Sequence, residues 1–289
     1  MSDYSVTVRQ SGRDTVVEGI TCFALADTLD CGQAFRWSEL EDGRWSAIAH
    51  GRLLTVGISD GCFILYDTDT DEFEKIWRRY FDLDRDYSEI IKAIEGNEIL
   101  KAAGDYGKGI RLLRQDPWET LCSFIISQNN NIPRIKGIID RLCEGFGDKI
   151  EGGYTFPSAD RLAGLTVEDL APLRSGFRAK YIIDAAEKIA SGEISLESLD
   201  EKDCETAAAE LMKIKGVGPK VADCALLFGL GKIDCFPKDV WIKRAMSQLF
   251  DGQLPECAVP YAGIVQQYIF HYSRTSDIFA DKKDEKKRA

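Results

Sequence analysis

No segment of this 289-residue chain approaches the roughly 18 consecutive apolar residues of a membrane-spanning helix. A helical membrane protein is thereby excluded, and no membrane partner is expected. The opening MSDYSVTVRQ has neither the basic and apolar regions of a secretory leader nor the Arg/Ser-rich, acid-poor character of a transit peptide, so a cytoplasmic protein is expected. The nine cysteines (Cys22, Cys31, Cys62, Cys122, Cys143, Cys204, Cys224, Cys235 and Cys257) contain no Cys-x-x-Cys pair and are odd in number. That pattern predicts reduced thiols, not a disulfide framework. Positive charge is short as well: 37 Lys/Arg against 48 Asp/Glu leave a net −11, which speaks against a chain coated for nucleic acid. What remains is a soluble globular composition, 44% hydrophobic and 29% charged, long enough for one large or two medium domains.

The charge balance reverses in one place. Between Leu211 and Met246, in LMKIKGVGPKVADCALLFGLGKIDCFPKDVWIKRAM, seven Lys/Arg stand against three Asp, a local +4. The stretch reads as two helices joined by a glycine hairpin. Met212 and Ile214 close one apolar run, Gly216 and Gly218 flank Val217 in a turn needing a left-handed or close-approach backbone, and Pro219 opens the next helix. The N–H groups of such a hairpin and helix start suit a phosphate oxygen. Lys220 falls in the first turn, where the macrodipole and an apolar wall of Val221, Ala225 and Phe228 both disfavour an ammonium. Spacing alone leaves two roles open for it: a nucleophile with a depressed pKa, or a phosphate anchor. Asp239, after Pro237 and before the amphipathic Val240, Arg244 and Met246, is marked as a helix N-cap. Capping accounts for an Asp without further help; the pairing of a lysine opening one helix with a carboxylate opening the next is what raises a catalytic reading.

Residues 1 to about 70 read as strands. Ser5–Val8, Trp45–Ile48, Leu53–Ile58 and Cys62–Tyr66 alternate, with Asp42-Gly43 and Asp60-Gly61 as hairpin signals, and the glycine turn in CGQAFRW feeds a strand from Phe35. From Glu72 the period is helical, with Phe73, Ile76, Trp77 and Tyr80 on one face. Asp116-Pro117-Trp118-Glu119 starts a helix that ends at Gln128, followed by three asparagines and a restart at Ile132-Pro133. Ser175-Gly176 leads into another. The fold class is therefore α+β: an antiparallel sheet domain over 1–88, a helical domain over 89–275 containing the hairpin at 211–228, and a charged tail over 276–289.

GVGxKVADC followed by FPKDVW resembles the helix-hairpin-helix DNA glycosylases, and among them those that remove 8-oxoguanine and carry lyase activity. CGQAFRW, SQNNNIPRI and SGFRAKY extend the likeness over most of the chain. The resemblance implies that Lys220 attacks the sugar and Asp239 stabilises it. It implies that Gly32 offers a backbone carbonyl to the extruded base, Cys224 and Phe270 cover its two faces, and Gln266 reads its Watson–Crick edge. Asn129, Arg134, Phe177 and Arg178 would fill the gap in the duplex and read the partner base, while Gly216, Gly218 and Trp241 would meet the backbone. It further implies a structural cation on the carbonyls of Met212, Ile214 and Val217, and no redox cofactor. Relatives often carry a four-cysteine iron–sulfur loop after the catalytic Asp; here only Cys257 follows, so no iron–sulfur cluster is expected. The implied partner is double-stranded DNA with oxidised guanine opposite cytosine, bound by a monomer, nucleoid-associated if the source is prokaryotic. Three positions depart from the family: Trp241 for a histidine, Phe177 for a tyrosine and Lys215 for a proline. A sibling glycosylase for another damaged base and a hairpin protein that only binds DNA are the alternatives.

Overall fold

A computed structural model describes residues 4–279. The N-terminal third is one antiparallel sheet of six strands, β1 (Thr7–Ser11), β2 (Asp14–Glu18), β3 (Ser38–Glu39), β4 (Trp45–Ala49), β5 (Arg52–Ser59) and β6 (Cys62–Tyr66), in the order β1-β2-β6-β5-β4-β3. At the β5–β6 turn Ser59 pairs with Cys62, and Asp60 and Gly61 both take positive φ, 50° and 76°, as a two-residue hairpin of that sequence requires. Alternation along β6 buries Phe63 and Leu65 beneath Phe73 and Trp77, which follow on the helical turns over 70–80, and Phe81 just beyond them. Trp37 completes this core and donates its indole N–H to the Tyr80 hydroxyl at 2.9 Å, so the buried ring carries no unpaired donor.

Several expectations need correction. The first strand runs over Thr7–Ser11, not Ser5–Val8, and pairs with β2, which was not anticipated. A helix at Leu25–Asp30 interrupts the strand-rich region. No strand begins at Phe35: that residue packs edge-on to Phe124 in the helical core, ring centroids 5.7 Å apart, and tertiary packing overrides its strand propensity.

The two layers are joined through polar groups that sequence periodicity does not reveal. Arg111 is fully buried and donates to the carbonyls of Thr21, Phe81, Asp82 and Arg85 while stacking on Tyr87, 4.1 Å from the ring centroid. Beside it, buried Gln33 donates to the Thr28 and Arg111 carbonyls, both at 2.8 Å, and accepts from the Leu113 N–H at 3.0 Å. A buried amide satisfied on both ends has little freedom. The segment carrying Gly32 is thus fastened to the helical layer.

In that layer the cap expected at Asp116 is present, and Asn131 supplies one that was not anticipated. Asp116 caps the helix Pro117–Ser127 through the Glu119 N–H, and Asn131 caps Ile132–Phe146 through the Arg134 N–H. The chain beyond the last helix turns back, burying Phe279 beneath the Arg244 guanidinium, 4.1 Å from its ring centroid. Residues 280–289, most of the expected charged tail, lie outside the described residues.

The expectation of reduced thiols throughout is overturned at one pair: Cys204 and Cys235 form a disulfide across 31 residues of sequence. Folding brings the start of the helix Cys204–Leu211 against the loop that leads to Asp239, with Cα atoms 5.9 Å apart. Sequence spacing holds no trace of that proximity.

Candidate active site

Two helix starts carry the chemistry. After the helix Cys204–Leu211, the chain passes Met212 and Ile214 and turns at Gly216, whose φ is +79°. A side chain there is doubly barred, because a Cβ would lie 2.4 Å from the Tyr181 ring. Gly218 is different: its φ is ordinary and a Cβ would meet nothing within 4 Å, so this face of the hairpin is open. Pro219 then opens the helix Pro219–Ala225, and among the described residues the N–H groups of Gly216, Gly218 and Lys220 donate to no backbone carbonyl. These are anion-binding groups without an internal partner.

Lys215 shows why the family's proline is dispensable. Its backbone N–H donates to the buried Asp184 carboxylate at 2.8 Å, and its ammonium reaches the same group at 3.0 Å. Proline could supply neither bond. The hairpin is therefore tied to the helix Ala179–Ala190 through a carboxylate that Lys188 also pairs. Those N–H and cationic partners, outweighing a burial effect of opposite sign, hold Asp184 below the usual carboxylate range.

The Lys220 ammonium lies 3.4 Å from Ser127 Oγ and 4.9 Å from the centroid of the Phe124 ring. Phe124 is itself stacked on Phe228 at 5.4 Å. The lysine is thus held over an aromatic floor, and its charge acts on the Cys224 thiol one turn along the helix. Burial pushes that thiol up to about 11, so Cys224 stays protonated at neutral pH and offers an apolar, polarisable face, not a competing thiolate.

Asp239 caps the helix Val240–Leu249 and accepts from the Ile242 N–H at 2.8 Å. Burial raises its carboxyl above the ordinary value, opposed by the Ile242 and Trp241 N–H groups and by the charges of Lys220 and Arg274. Lys220 and Asp239 therefore share one electrostatic environment, as their pairing in sequence suggested. Trp241 is half-buried one position into the helix, beside the largely exposed Val240.

The base-contact candidates converge as well. Gly32, with φ +93°, faces Phe270: a Cβ there would lie 3.7 Å from that ring's Cε1. Gln266 lies one turn before Phe270 on the helix Ala262–Thr275 and is buried with its Oε1 unpartnered. An orphaned buried acceptor costs stability unless a ligand fills it.

A second group forms the rim. Asn129 sits exposed at φ +47°, Arg134 is exposed at the start of its helix, and Phe177 is 48% exposed. Arg178 does not join them at the surface. It is buried, stacked on Phe177 at 4.4 Å, and its guanidinium donates to the carbonyls of Gln128, Asn129 and Ser175. In this structure it props up the asparagine loop that displays Asn129.

Similarity to known proteins follows the same lines. Residues 16–121 match the family model for the 8-oxoguanine DNA glycosylase N-terminal domain, and residues 122–253 that for the HhH-GPD superfamily base excision DNA repair protein. A structure of MBOgg1 with a low-affinity DNA ligand superposes with TM-score 0.88 at 43% identity, covering 93% of this chain and 98% of that one. The chain belongs to the 8-oxoguanine DNA glycosylase family. A Clostridium acetobutylicum 8-oxoguanine glycosylase/lyase, in complex with double-stranded DNA containing cytosine opposite 8-oxoguanine, gives TM-score 0.87 at 38% identity over 94% of this chain and 99% of that one. The N-glycosylase/DNA lyase of Saccharomyces cerevisiae is 41% identical over 47% of this chain, a match spanning about two-fifths of that enzyme's length, 41%.

Against the family's motifs, three contributors here went unread in the sequence. Phe124 and Ser127 gave no signal beyond helical periodicity, and Arg274 lies one turn past Phe270 in a helix end that also resembles an ordinary basic terminus. Among the described residues no helix is long and apolar enough to cross a membrane.

Proposed function

We propose that this protein excises 8-oxoguanine from duplex DNA through a lysine Schiff base and then cuts the abasic strand by β-elimination. The observation that carries the reading is the placement of Lys220: it stands over Phe124, one turn before Cys224, in the field of a half-buried Asp239. A protein that merely held DNA would gain nothing from partly desolvating a carboxylate at the cost that raises its pKa.

The target nucleotide has to leave the stack, because its glycosidic carbon is shielded inside a duplex. Gly32, Gln266, Phe270 and Cys224 form the recess for the base, and the hairpin N–H groups of Gly216, Gly218 and Lys220 take the adjoining phosphate. Asn129, Arg134 and Phe177 occupy the vacated space, with Arg178 supporting them from behind. As a free amine, Lys220 attacks C1′ and the bond to N9 breaks, its electron pair leaving with the base. Asp239 stabilises the positive charge that develops on the sugar. The C1′–O4′ bond then breaks, O4′ taking a proton as the sugar ring opens, which gives the Schiff base; this acidifies the C2′ proton, whose loss expels the 3′ phosphate.

The carbonyls of Met212, Ile214 and Val217 suit a hard cation, which would stiffen the hairpin. Those of Met212 and Val217 accept no backbone hydrogen bond among the described residues, and that of Ile214 accepts one, from Val217, leaving a lone pair. No carboxylate stands among these donors, which favours weak, exchangeable binding.

A duplex carrying a single 8-oxoguanine opposite cytosine tests the reading, with separate measurement of base release and strand cutting. Release followed by cutting at the lesion is expected. Release of a methylated purine but not of 8-oxoguanine would assign the protein to a sibling activity.

A further inference from the structure

Arg274 lies one helical turn beyond Phe270, and its guanidinium stands over that ring, 5.3 Å from the centroid. It also faces the glycine of the base recess: a Cβ built on Gly32 would meet Arg274 Nη1 at 3.5 Å. Its charge reaches both Asp239 and Cys31, favouring their ionised forms. Yet among the described residues this half-buried guanidinium makes neither a hydrogen bond nor an ion pair. Arginine carries five N–H donors, and leaving them without acceptors in a partly desolvated place is costly. The other interior arginines, Arg111 and Arg178, have carbonyl acceptors for their donors. Arg274 is set apart by its place at the mouth of the recess.

We propose that Arg274 is a specificity-determining residue that donates to O8 of the oxidised base and stabilises that base as it leaves. The assignment rests on the reading of Gly32 and Phe270 as the base recess. If the Gly32 carbonyl accepts the N7 hydrogen, O8 lies on the next ring atom, between N7 and N9, and Arg274, whose Nη1 would lie 3.5 Å from a Cβ on Gly32, is a cationic donor beside that glycine. Undamaged guanine has only a C8 hydrogen there and leaves the guanidinium unsatisfied. The same contact serves the chemistry. When the Lys220 nitrogen bonds to C1′, the C1′–N9 electron pair passes to the base and its charge is shared with O8. The proton shed by the new C1′ ammonium balances that charge on the departing base. A cationic donor at O8 strengthens while this charge develops, so its contribution falls on the transition state.

Single-turnover rates of Arg274→Gln and Arg274→Lys on two duplexes decide the matter, one carrying 8-oxoguanine and the other a preformed abasic site. Arg274→Gln should slow base release by about 30- to 100-fold, in the range of losing one charge-stabilising donor. Arg274→Lys, which keeps the cation, should recover part of that loss. Both variants should lose several-fold less on the preformed abasic site than on 8-oxoguanine, because no base leaves in that reaction and only the action of the Arg274 charge on Asp239 is felt there. Equal losses on the two duplexes would assign Arg274 to DNA holding or folding and overturn the proposal. So would an unimpaired Arg274→Gln on 8-oxoguanine. A wild type unable to release 8-oxoguanine at all would instead overturn the functional reading on which the assignment stands.

Discussion

The Lys220 ammonium rests 4.9 Å from the centroid of the Phe124 ring, on a helix distant in sequence from its own. That contact fixes where the amine points. If Lys220 forms the Schiff base, borohydride should trap the protein on lesion-bearing DNA. Lys220→Gln should abolish trapping and strand cutting while retaining binding to the same duplex. Trapping that persists in the variant would remove Lys220 from the mechanism.

Asp239 has a separable role in stability and in catalysis. Burial raises its pKa in the folded protein above the ordinary 3.8. With a folded pKa above the unfolded one, its contribution to stability is fully present at low pH and is lost as pH rises through the folded value. Asp239→Asn keeps a capping oxygen and removes a partly buried charge. Its melting temperature near neutral pH should therefore match or exceed the wild type, while base release falls by roughly 100-fold or more. In the wild type the acid limb of base release should lie above pH 3.8, because the working form is the carboxylate. Parallel loss of stability and activity in Asp239→Asn would reduce Asp239 to a cap.

Arg134 and Arg178 should separate on mutation. Arg134 is exposed and Arg178 is buried beneath the Asn129 loop. Arg134→Ala should leave the melting temperature unchanged and weaken a preference for cytosine over adenine opposite the lesion. Arg178→Ala leaves the Gln128 and Asn129 carbonyls without their donor and should destabilise the fold by about 1–3 kcal/mol. Denaturant titration and opposite-base rates together distinguish the two.

Recognition through Gly32 predicts discrimination by hydrogen bonding at N7. Guanine presents an acceptor there and 8-oxoguanine a donor. A duplex carrying 8-bromoguanine, bulky at C8 but still an acceptor at N7, should be processed no faster than ordinary guanine. The ring-opened formamidopyrimidine of guanine, which keeps an N–H in that region, should be released. Efficient release of 8-bromoguanine would show that bulk selects the substrate.

The Cys204–Cys235 bridge closes a loop containing the whole hairpin. Chain-entropy arguments give such a loop about 3–4 kcal/mol of stabilisation. Reduction, or Cys204→Ser, should lower the melting temperature by roughly 5–10 °C at this chain length. Thiol labelling of the purified protein under mild oxidation checks the pairing directly.

The sequence by itself determined the elements whose cause is local. Asp60-Gly61 makes its hairpin, and Asp116 and Asp239 cap their helices, because a turn or a cap involves only residues a few positions apart. The same holds for the GVG turn, where Gly216 needs its positive φ. The motif residues Gly32, Lys220, Gln266 and Phe270 were legible through resemblance, since their roles travel with short, recognisable segments. Tertiary structure alone decided what depends on surfaces meeting across long separations. Phe35 leaves the sheet because Phe124 receives it, and Arg178 turns inward because the carbonyls of Gln128 and Asn129 await it. Cys204 finds Cys235, Lys215 finds Asp184, and Arg274 arrives at Gly32 from the last helix of the described chain. Periodicity tells which face of an element is buried. What that face meets is set by how the elements pack, and here that packing brings Lys220, Asp239 and Arg274 to one site.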